Sequence, residues 1–294
     1  MTPVPSLSGN APFDQVFSEY IEAKRPCILT GAANGWPART RWTPDFLCGR
    51  YGDEAVDFVD TRTGDRPQRA LRSYFGLPEE ERAHTYICDW DFRKRSPELL
   101  EDLGPLPQFS VDWVNDLPET VRPDLMWIYI GHPGTAGPAH LDNYGTSAWL
   151  AVLQGQKRLR FCWPEKGQNP AGEDLFAAKP FADMQEAVLQ AGDIVYVPSR
   201  TWHAAFNDSY CLSVTANFID GGSLEDYFLT MTRANFDRRI LIRRLNALDD
   251  RAAGPGKDRE VAHLDLALRR YRARLERQLS DLSDFEEVLE EHRR

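Results

Sequence analysis

From residue 124 onward the apolar residues fall into runs of strand length, each bounded by Gly, Pro or Asp: Leu125 to Ile130, Ser147 to Leu153, Lys157 to Cys162, Asp193 to Val197 and Tyr210 to Phe218. Short strands at this spacing predict a β-sandwich or barrel of the jelly-roll kind. The preceding stretch, residues 12–105, is mixed. Phe13 to Ala23 has helical spacing, Pro26 to Thr30 reads as a short strand, and a helix is expected over Thr43 to Tyr51 with Thr43 as N-cap and Pro44 at the first helical position. After Asp220-Gly221-Gly222 the period becomes helical. It starts at Ser223, with Asp226 three residues on in a near capping box, and runs to about Leu248. Gly254-Pro255-Gly256 breaks it, and a last helix is expected from Arg259 to Glu291, with Val261, Leu264, Leu268, Tyr271, Leu275, Leu279 and Leu282 on one stripe. The expected organisation is an α/β lead-in over 1–123 packed on a β core over 124–220, with a helical extension over 221–294.

Composition narrows the class of protein. With 294 residues, 42% hydrophobic and 27% charged, the chain is long enough to bury a sizeable core and has the balance of a soluble globular protein. No run approaches the roughly 20 apolar residues of a membrane helix, and Met1 to Asp14 has neither a basic start nor an apolar stretch. A cytoplasmic protein is expected. Cys27, Cys48, Cys88, Cys162 and Cys211 are odd in number and widely spaced, which predicts buried free thiols in a reducing compartment. A net charge of −10 argues against nucleic-acid or anionic-membrane partners. The Arg-rich stretches Arg238 to Arg244 and Arg269 to Arg274 alternate with apolar residues and read as solvated helix faces. The C-terminal stripe must be covered, either by a second copy in a homodimer or by folding back on its own core.

The chemistry-bearing residues lie in the β region. In His140-Leu141-Asp142 the two polar side chains are two apart on extended backbone, and so share a face. His203 follows the strand-like Asp193 to Pro198. Two histidines and a carboxylate on the rim of a β core match the facial triad of non-haem Fe(II) oxygenases, which leaves open coordination positions. An H-x-D pair alone is a common accident, so Lys157 matters. Lysine is scarce, six against 29 arginines, and a co-substrate with a distal carboxylate needs one buried cation. The plain alternative is an exposed strand residue.

The stretch His140-Leu-Asp-Asn-Tyr-Gly-Thr-Ser-Ala-Trp-Leu-Ala-Val-Leu-Gln-Gly-Gln-Lys157-Arg closely resembles the jumonji-C (JmjC) Fe(II)- and 2-oxoglutarate-dependent oxygenases of the cupin superfamily. Within them it looks most like the jumonji lysyl hydroxylase branch. Gly192 to His203, Asn207, Thr215-Ala-Asn217-Phe218 and Arg25 to Trp36 add to the match, which covers roughly residues 12–220. The resemblance implies a double-stranded β-helix core and iron bound by His140, Asp142 and His203. It also implies that the C5 carboxylate of 2-oxoglutarate pairs with Lys157, helped by Thr215 and Tyr86, with Asn217 beside the pocket. Two positions depart from the branch: Leu150 stands where Asn is usual, and Gly137 where Thr is common. Both changes make one side of the pocket more apolar.

The implied reaction consumes O2 and 2-oxoglutarate, releases succinate and CO2, and hydroxylates a C–H bond. The expected substrate is an amino-acid side chain in a protein or peptide. Alternatives are a free amino acid or natural-product intermediate, N-methyl demethylation, a non-catalytic cupin-like binding protein, and a metal-dependent cupin isomerase or hydrolase. Selectivity is expected from the loops Asp89 to Arg95 and Gln168 to Phe181.

Overall fold

A computed structural model describes residues 1–117, 122–177, 181–233, 238–253 and 258–279. Its strands are β1 (Thr2–Pro3), β2 (Ser6–Ser8), β3 (Cys27–Thr30), β4 (Ala55–Asp60), β5 (Gln68–Ala70), β6 (Thr85–Trp90) and β7 (Met126–Gly131), followed by β8 (Ser147–Gln154), β9 (Gln156–Cys162), β10 (Met184–Gln190), β11 (Ile194–Val197), β12 (Trp202–Asn207) and β13 (Cys211–Phe218). They form a small sheet of order β1-β10-β9-β12 and a large one of order β2-β3-β11-β8-β13-β7-β6-β4-β5. The sheets face each other without closing into a barrel. Leu159, Phe161, Ala187 and Leu189 of the small sheet share one core with Ala148, Leu150, Val152, Val195 and Val197 of the large one.

The two sheets explain the two textures of the sequence. β8 and β13 are buried along almost their whole length, because the inner face meets the small sheet and the outer face meets the lead-in. Trp149, Ala151, Leu153, Val214 and Phe218 on that outer face pack with Trp36, Trp42, Tyr74 and Trp90. A strand covered on both sides tends to be apolar throughout, as β8 is from Ala148 to Leu153, whereas β13 keeps the buried polar residues Ser213, Thr215 and Asn217 on its inner face. β9 instead alternates: Lys157, Leu159 and Phe161 point in, while Arg158 and Arg160 point out toward Asp208 and Glu186.

The five predicted strands of the core appear within one or two residues of their expected limits. β10 and β12, and the whole β4-β5-β6 arm, were not foreseen. The lead-in is woven into both sheets, since β1 pairs with β10, β3 with β11 and β6 with β7. The helix over Pro44–Tyr51 forms as expected, and the Thr43 hydroxyl accepts from the Phe46 amide at 3.2 Å.

Three helical expectations are corrected. Phe13 to Ala23 is a short α-turn, Phe13–Val16, that widens into a π-turn over Phe17–Ile21, so that Phe17, Tyr20 and Ile21 all reach the core. The helix expected from Ser223 to Leu248 is two helices, Leu224–Arg233 and Arg238–Ala253, which pack on each other and so cannot be collinear. Its cap is Asp220, not Ser223. The Asp220 carboxylate accepts from the Ser223 amide at 2.9 Å, and the Ser223 hydroxyl accepts from the Asp220 amide at 3.0 Å, a capping box one turn earlier. Asp226 is drawn away to Ser199 and Lys24.

The final helix spans Asp258–Leu279 in the described residues. Its Leu264, Ala267, Leu268 and Tyr271 fold back against Val111, Trp113, Leu117, Ile219, Tyr227 and Leu248. The stripe's side chains at Val261, Leu275 and Leu279, the residue Leu282, and the Gly254-Pro255-Gly256 break lie outside what the structure describes.

Candidate metal centre and buried anion pocket

Residues 134–140 lie along the free edge of β12 and bring the two histidines together. The His203 amide donates to the His140 carbonyl at 3.0 Å and the His140 amide donates back at 2.9 Å. The two residues are thus direct cross-strand neighbours, and their rings lie 4.4 Å apart. Gly137 donates to the Ala205 carbonyl in the same ladder, and a side chain placed there would meet nothing within 4 Å. His203 is buried, Asp142 half-buried and His140 exposed, and one donor atom from each lies within 4.8 Å of the others.

Each imidazole is held by the same device. His140 Nδ1 lies 2.9 Å from the Pro138 carbonyl, and His203 Nδ1 lies 2.9 Å from the Thr201 carbonyl. A carbonyl can only accept, so Nδ1 carries the proton and Nε2 is left with a free lone pair. Burial, and then the neighbouring His140 ring, push the His203 pKa down to about 4, which keeps that imidazole neutral as a metal ligand requires. Asp142 Oδ2 is buried without a hydrogen-bond partner. A free carboxylate oxygen close to two imidazoles that are each pinned at Nδ1 fits a divalent cation.

The turn after Asp142 is fixed from below. The Asn217 carboxamide donates to the Thr146 hydroxyl at 2.8 Å, and that hydroxyl donates to the Asn143 carbonyl at 2.8 Å. Tyr144 and Gly145 both have left-handed backbone, φ 61° and 67°. A Cβ at Gly145 would stand 2.6 Å from the Asp226 carbonyl of the helix below, so only glycine fits. Asn217 thereby supports the metal loop from inside the core.

Four residues along β12 from His203, roughly 13 Å of strand, Asn207 pairs with Lys157. Lys157 is 1% exposed, and its Nζ donates to the Tyr86 hydroxyl at 2.9 Å. The Tyr86 and Tyr129 rings stand 5.4 and 5.9 Å from the same nitrogen. Burial lowers the Lys157 pKa, while the Cys211 and Cys88 thiols pull the other way. Three N–H donors with one partner in a dry site leave a cation in need of an anion. Asn207 Oδ1 is also buried without a partner. No side chain fits at Gly131, where a Cβ would lie 2.1 Å from Asn207 Nδ2. Thr215 lies on the same inner face, level with Leu150, and its hydroxyl donates to the Trp149 carbonyl at 2.7 Å.

Of the seven residues singled out in the sequence, the structure brings together His140, Asp142 and His203, and separately Lys157 and Tyr86, while Thr215 lies level with Leu150 and Asn217 bonds to Thr146 beneath the metal loop. Asn207, Tyr129, Thr135, Thr146 and Ser213 were not assigned roles from sequence. Asn207 counts in the sequence only as part of the resemblance, and its place beside Lys157 follows from the pairing of β12 with β9. Of the two loops expected to set selectivity, Asp89 to Arg95 lies beside the start of β7, with Arg93 and Lys94 near Asp124. In the other, Leu175 and Phe181 pack on the outside of the small sheet, and Glu173 accepts from the Ala139 amide next to His140. Residues 178–180 of that loop are not among those described.

Comparison with known proteins agrees with this geometry. The family described as a cupin-like domain matches residues 13–221. The chain is 28% identical over 261 residues to the lysine-specific demethylase JMJ21 of Arabidopsis thaliana, covering 80% of this chain and 27% of that protein. It is 28% identical over 241 residues to the bifunctional arginine demethylase and lysyl-hydroxylase psr-1 of Caenorhabditis elegans, covering 72% and 60%. It is 26% identical over 240 residues to the 2-oxoglutarate and iron-dependent oxygenase JMJD4 of Mus musculus, covering 68% and 56%. The chain thus spans between about a quarter and three fifths of the length of these relatives. Matched by that family over most of its own length, the chain belongs to the cupin-like domain family.

Proposed function

We propose that this chain is an Fe(II)- and 2-oxoglutarate-dependent oxygenase that hydroxylates an amino-acid side chain in a protein or peptide. The observation that carries the reading is the placement of two groups along one strand pair: a cluster of three metal-ligand donors beside His203, and four residues further along β12 a buried lysine with no anion beside it among the described residues. In this reading His140 and His203, through Nε2, and Asp142, through its free oxygen, hold the iron. Lys157 and Tyr86 hold the distal carboxylate of 2-oxoglutarate, Thr215 lines the path between the two ends, and Asn217 steadies the metal loop.

Bound iron and 2-oxoglutarate together supply the activation of O2 that inserts one oxygen atom into a C–H bond and leaves succinate and CO2. The chain's own residues position and exclude. The backbone clamps on both Nδ1 atoms aim the imidazoles before any ligand arrives. Lys157 gives the co-substrate one orientation, because a charge at the closed end accepts only the distal carboxylate. Leu150, Val152, Leu159 and Phe161 keep the space between the sheets dry. The exposed edge of His140 leaves the metal end open to an incoming side chain.

Two relatives are named as demethylases, and the same oxidation at an N-methyl carbon would release formaldehyde. Incubation of the chain with Fe(II), ascorbate, 2-oxoglutarate and candidate peptides separates the readings. Hydroxylation gives succinate and a peptide heavier by one oxygen, demethylation gives formaldehyde and a peptide lighter by one methylene, and a binding protein gives neither.

The division into lead-in, core and extension is kept as part of this proposal, with residues 124–220 carrying the metal ligands and Lys157. No helix among the described residues is long and apolar enough to cross a membrane. The five cysteines are free, which suits a reducing compartment such as the cytoplasm. Any homodimer through the C-terminal helices must use surfaces other than Leu264, Ala267, Leu268 and Tyr271, which are already covered; Leu266, 43% exposed, is one such position. Light scattering on the full chain tests it.

A further inference from the structure

One residue outside the metal centre touches both segments that carry its ligands. Asp226, in the first turn of the helix Leu224–Arg233, has a side chain only 4% exposed. Its Oδ2 accepts from the Ser199 hydroxyl at 2.8 Å and pairs with the Lys24 ammonium, and its Oδ1 lies 3.6 Å from the Arg200 guanidinium. Lys24 and Arg200 both have left-handed backbone, φ 51° and 55°, a region that favours glycine. Two bulky residues held in that conformation, each with its cation on the same buried carboxylate, mark a junction that the surrounding structure maintains against local strain.

What the junction holds is the turn before His203. Residues 198–201 link β11 to β12, and the Thr201 amide donates to the Pro198 carbonyl at 3.3 Å across that turn. The Thr201 carbonyl is the group that takes the His203 Nδ1 hydrogen, at 2.9 Å. Its direction, and with it the aim of Nε2, follows from how Ser199 and Arg200 are fixed, and both are fixed by Asp226. The backbone of the same residue meets the other ligand segment. A Cβ on Gly145, in the turn after Asp142, would stand 2.6 Å from the Asp226 carbonyl, so that turn rests directly on the helix at this point. Lys24, just past the π-turn of the lead-in, ties a third segment to the junction.

Resting on the metal site of the oxygenase reading, we propose that Asp226 is a positioning residue of that site. Its carboxylate sets the turn that aims His203, its backbone seats the turn that follows Asp142, and the two ligand segments are thereby held at one separation. The helix Leu224–Arg233 then belongs to the metal centre although the three candidate ligands lie elsewhere.

The test is the Mn(II) affinity of the full chain, titrated by calorimetry well below the melting temperature, beside thermal melts. Asp226→Ala should weaken Mn(II) binding by about tenfold or more, the range for groups that orient metal ligands. Asp226→Asn keeps an acceptor for the Ser199 hydroxyl and should stay closer to the wild type. Ser199→Ala leaves both ion pairs in place and tests the same link where Asp226→Ala fails to fold; it should lose about threefold or more, the low end of what one hydrogen bond is worth. The visible spectrum of the Co(II)-saturated chain, which reads ligand geometry and not stability, should shift in the same variants. Leu264→Ala, which loosens the helical packing away from both ligand segments, should melt earlier yet keep the wild-type affinity and spectrum. Asp226 and Ser199 variants that bind Mn(II) and Co(II) as the wild type does, or an equal loss of affinity in Leu264→Ala, overturn the proposal and leave the oxygenase reading intact. A wild-type chain that binds neither ion overturns both.

Discussion

The two ends of the inter-sheet space are built on opposite principles. At the metal end the side chains are partly exposed, and their order comes from the backbone: a cross-strand pair between His140 and His203, a carbonyl on each Nδ1, and a left-handed turn after Asp142. At the lysine end the order comes from burial. Lys157 and Asn207 are at most 1% exposed, Asn207 Oδ1 lacks a partner, and Lys157 Nζ has only the Tyr86 hydroxyl. The first end can be complete before a ligand arrives, whereas the second is complete only with an anion in it. Mutations should therefore act differently at the two ends, abruptly at the metal and in graded fashion at the lysine.

The largest effect expected is at the metal. His140→Ala, Asp142→Ala and His203→Ala should each reduce turnover below detection while circular dichroism shows an unchanged fold, because each removes one of three protein ligands. Substantial activity in any two of them would break the contrast. Next comes Lys157→Ala, which removes one partner of a buried charge pair and should cost on the order of 2–5 kcal/mol in 2-oxoglutarate binding. The loss should fall mainly on the co-substrate KM. Lys157→Arg should lose less, and an unchanged KM in Lys157→Ala would show that the carboxylate is held elsewhere.

A smaller effect is expected at the support of the metal loop. Asn217→Ala breaks the link from Asn217 through Thr146 to the Asn143 carbonyl and should lower metal affinity roughly 10-fold or more, as for other groups that orient ligands. Metal titration with and without 2-oxoglutarate would place the loss at the metal. The smallest effects belong to the two departures from the family pattern. Gly137→Thr meets open space and should leave stability and turnover nearly unchanged in thermal melts and initial rates. Leu150→Asn should keep activity or tighten 2-oxoglutarate binding, and a large loss of binding would show that the apolar wall itself is needed.

The same contrast governs how much of the molecule was legible in the sequence. The metal end could be read because its ligands share a short motif and because the strand that follows it, Ser147–Gln154, is apolar from Ala148 to Leu153. Lys157 could be read as a candidate, but its burial could not, since Lys157-Arg158-Leu159-Arg160 looks as much like a solvated strand as a pocket base. β12 escaped notice because Trp202 to Asn207 is short and carries a histidine and an asparagine among its inward residues, which lowers its apolar contrast. With it went the pairing of Asn207 with Lys157. At the C-terminus the periodic stripe was legible, while its destination depends on Val111, Trp113 and Leu117 far away in sequence, whose role only the fold reveals.

The central claim is that one chain holds a metal and the keto acid together, with the triad at one end and Lys157 at the other. Its most direct test is the visible charge-transfer absorption that appears when a 2-oxo acid chelates Fe(II) through its carboxylate and keto oxygens, recorded without oxygen. The account predicts this band for the wild-type chain with Fe(II) and 2-oxoglutarate, its loss in His203→Ala at any concentration, and its recovery in Lys157→Ala only at much higher 2-oxoglutarate. A wild-type chain that binds both Fe(II) and 2-oxoglutarate, each measured separately, yet shows no such band would contradict it.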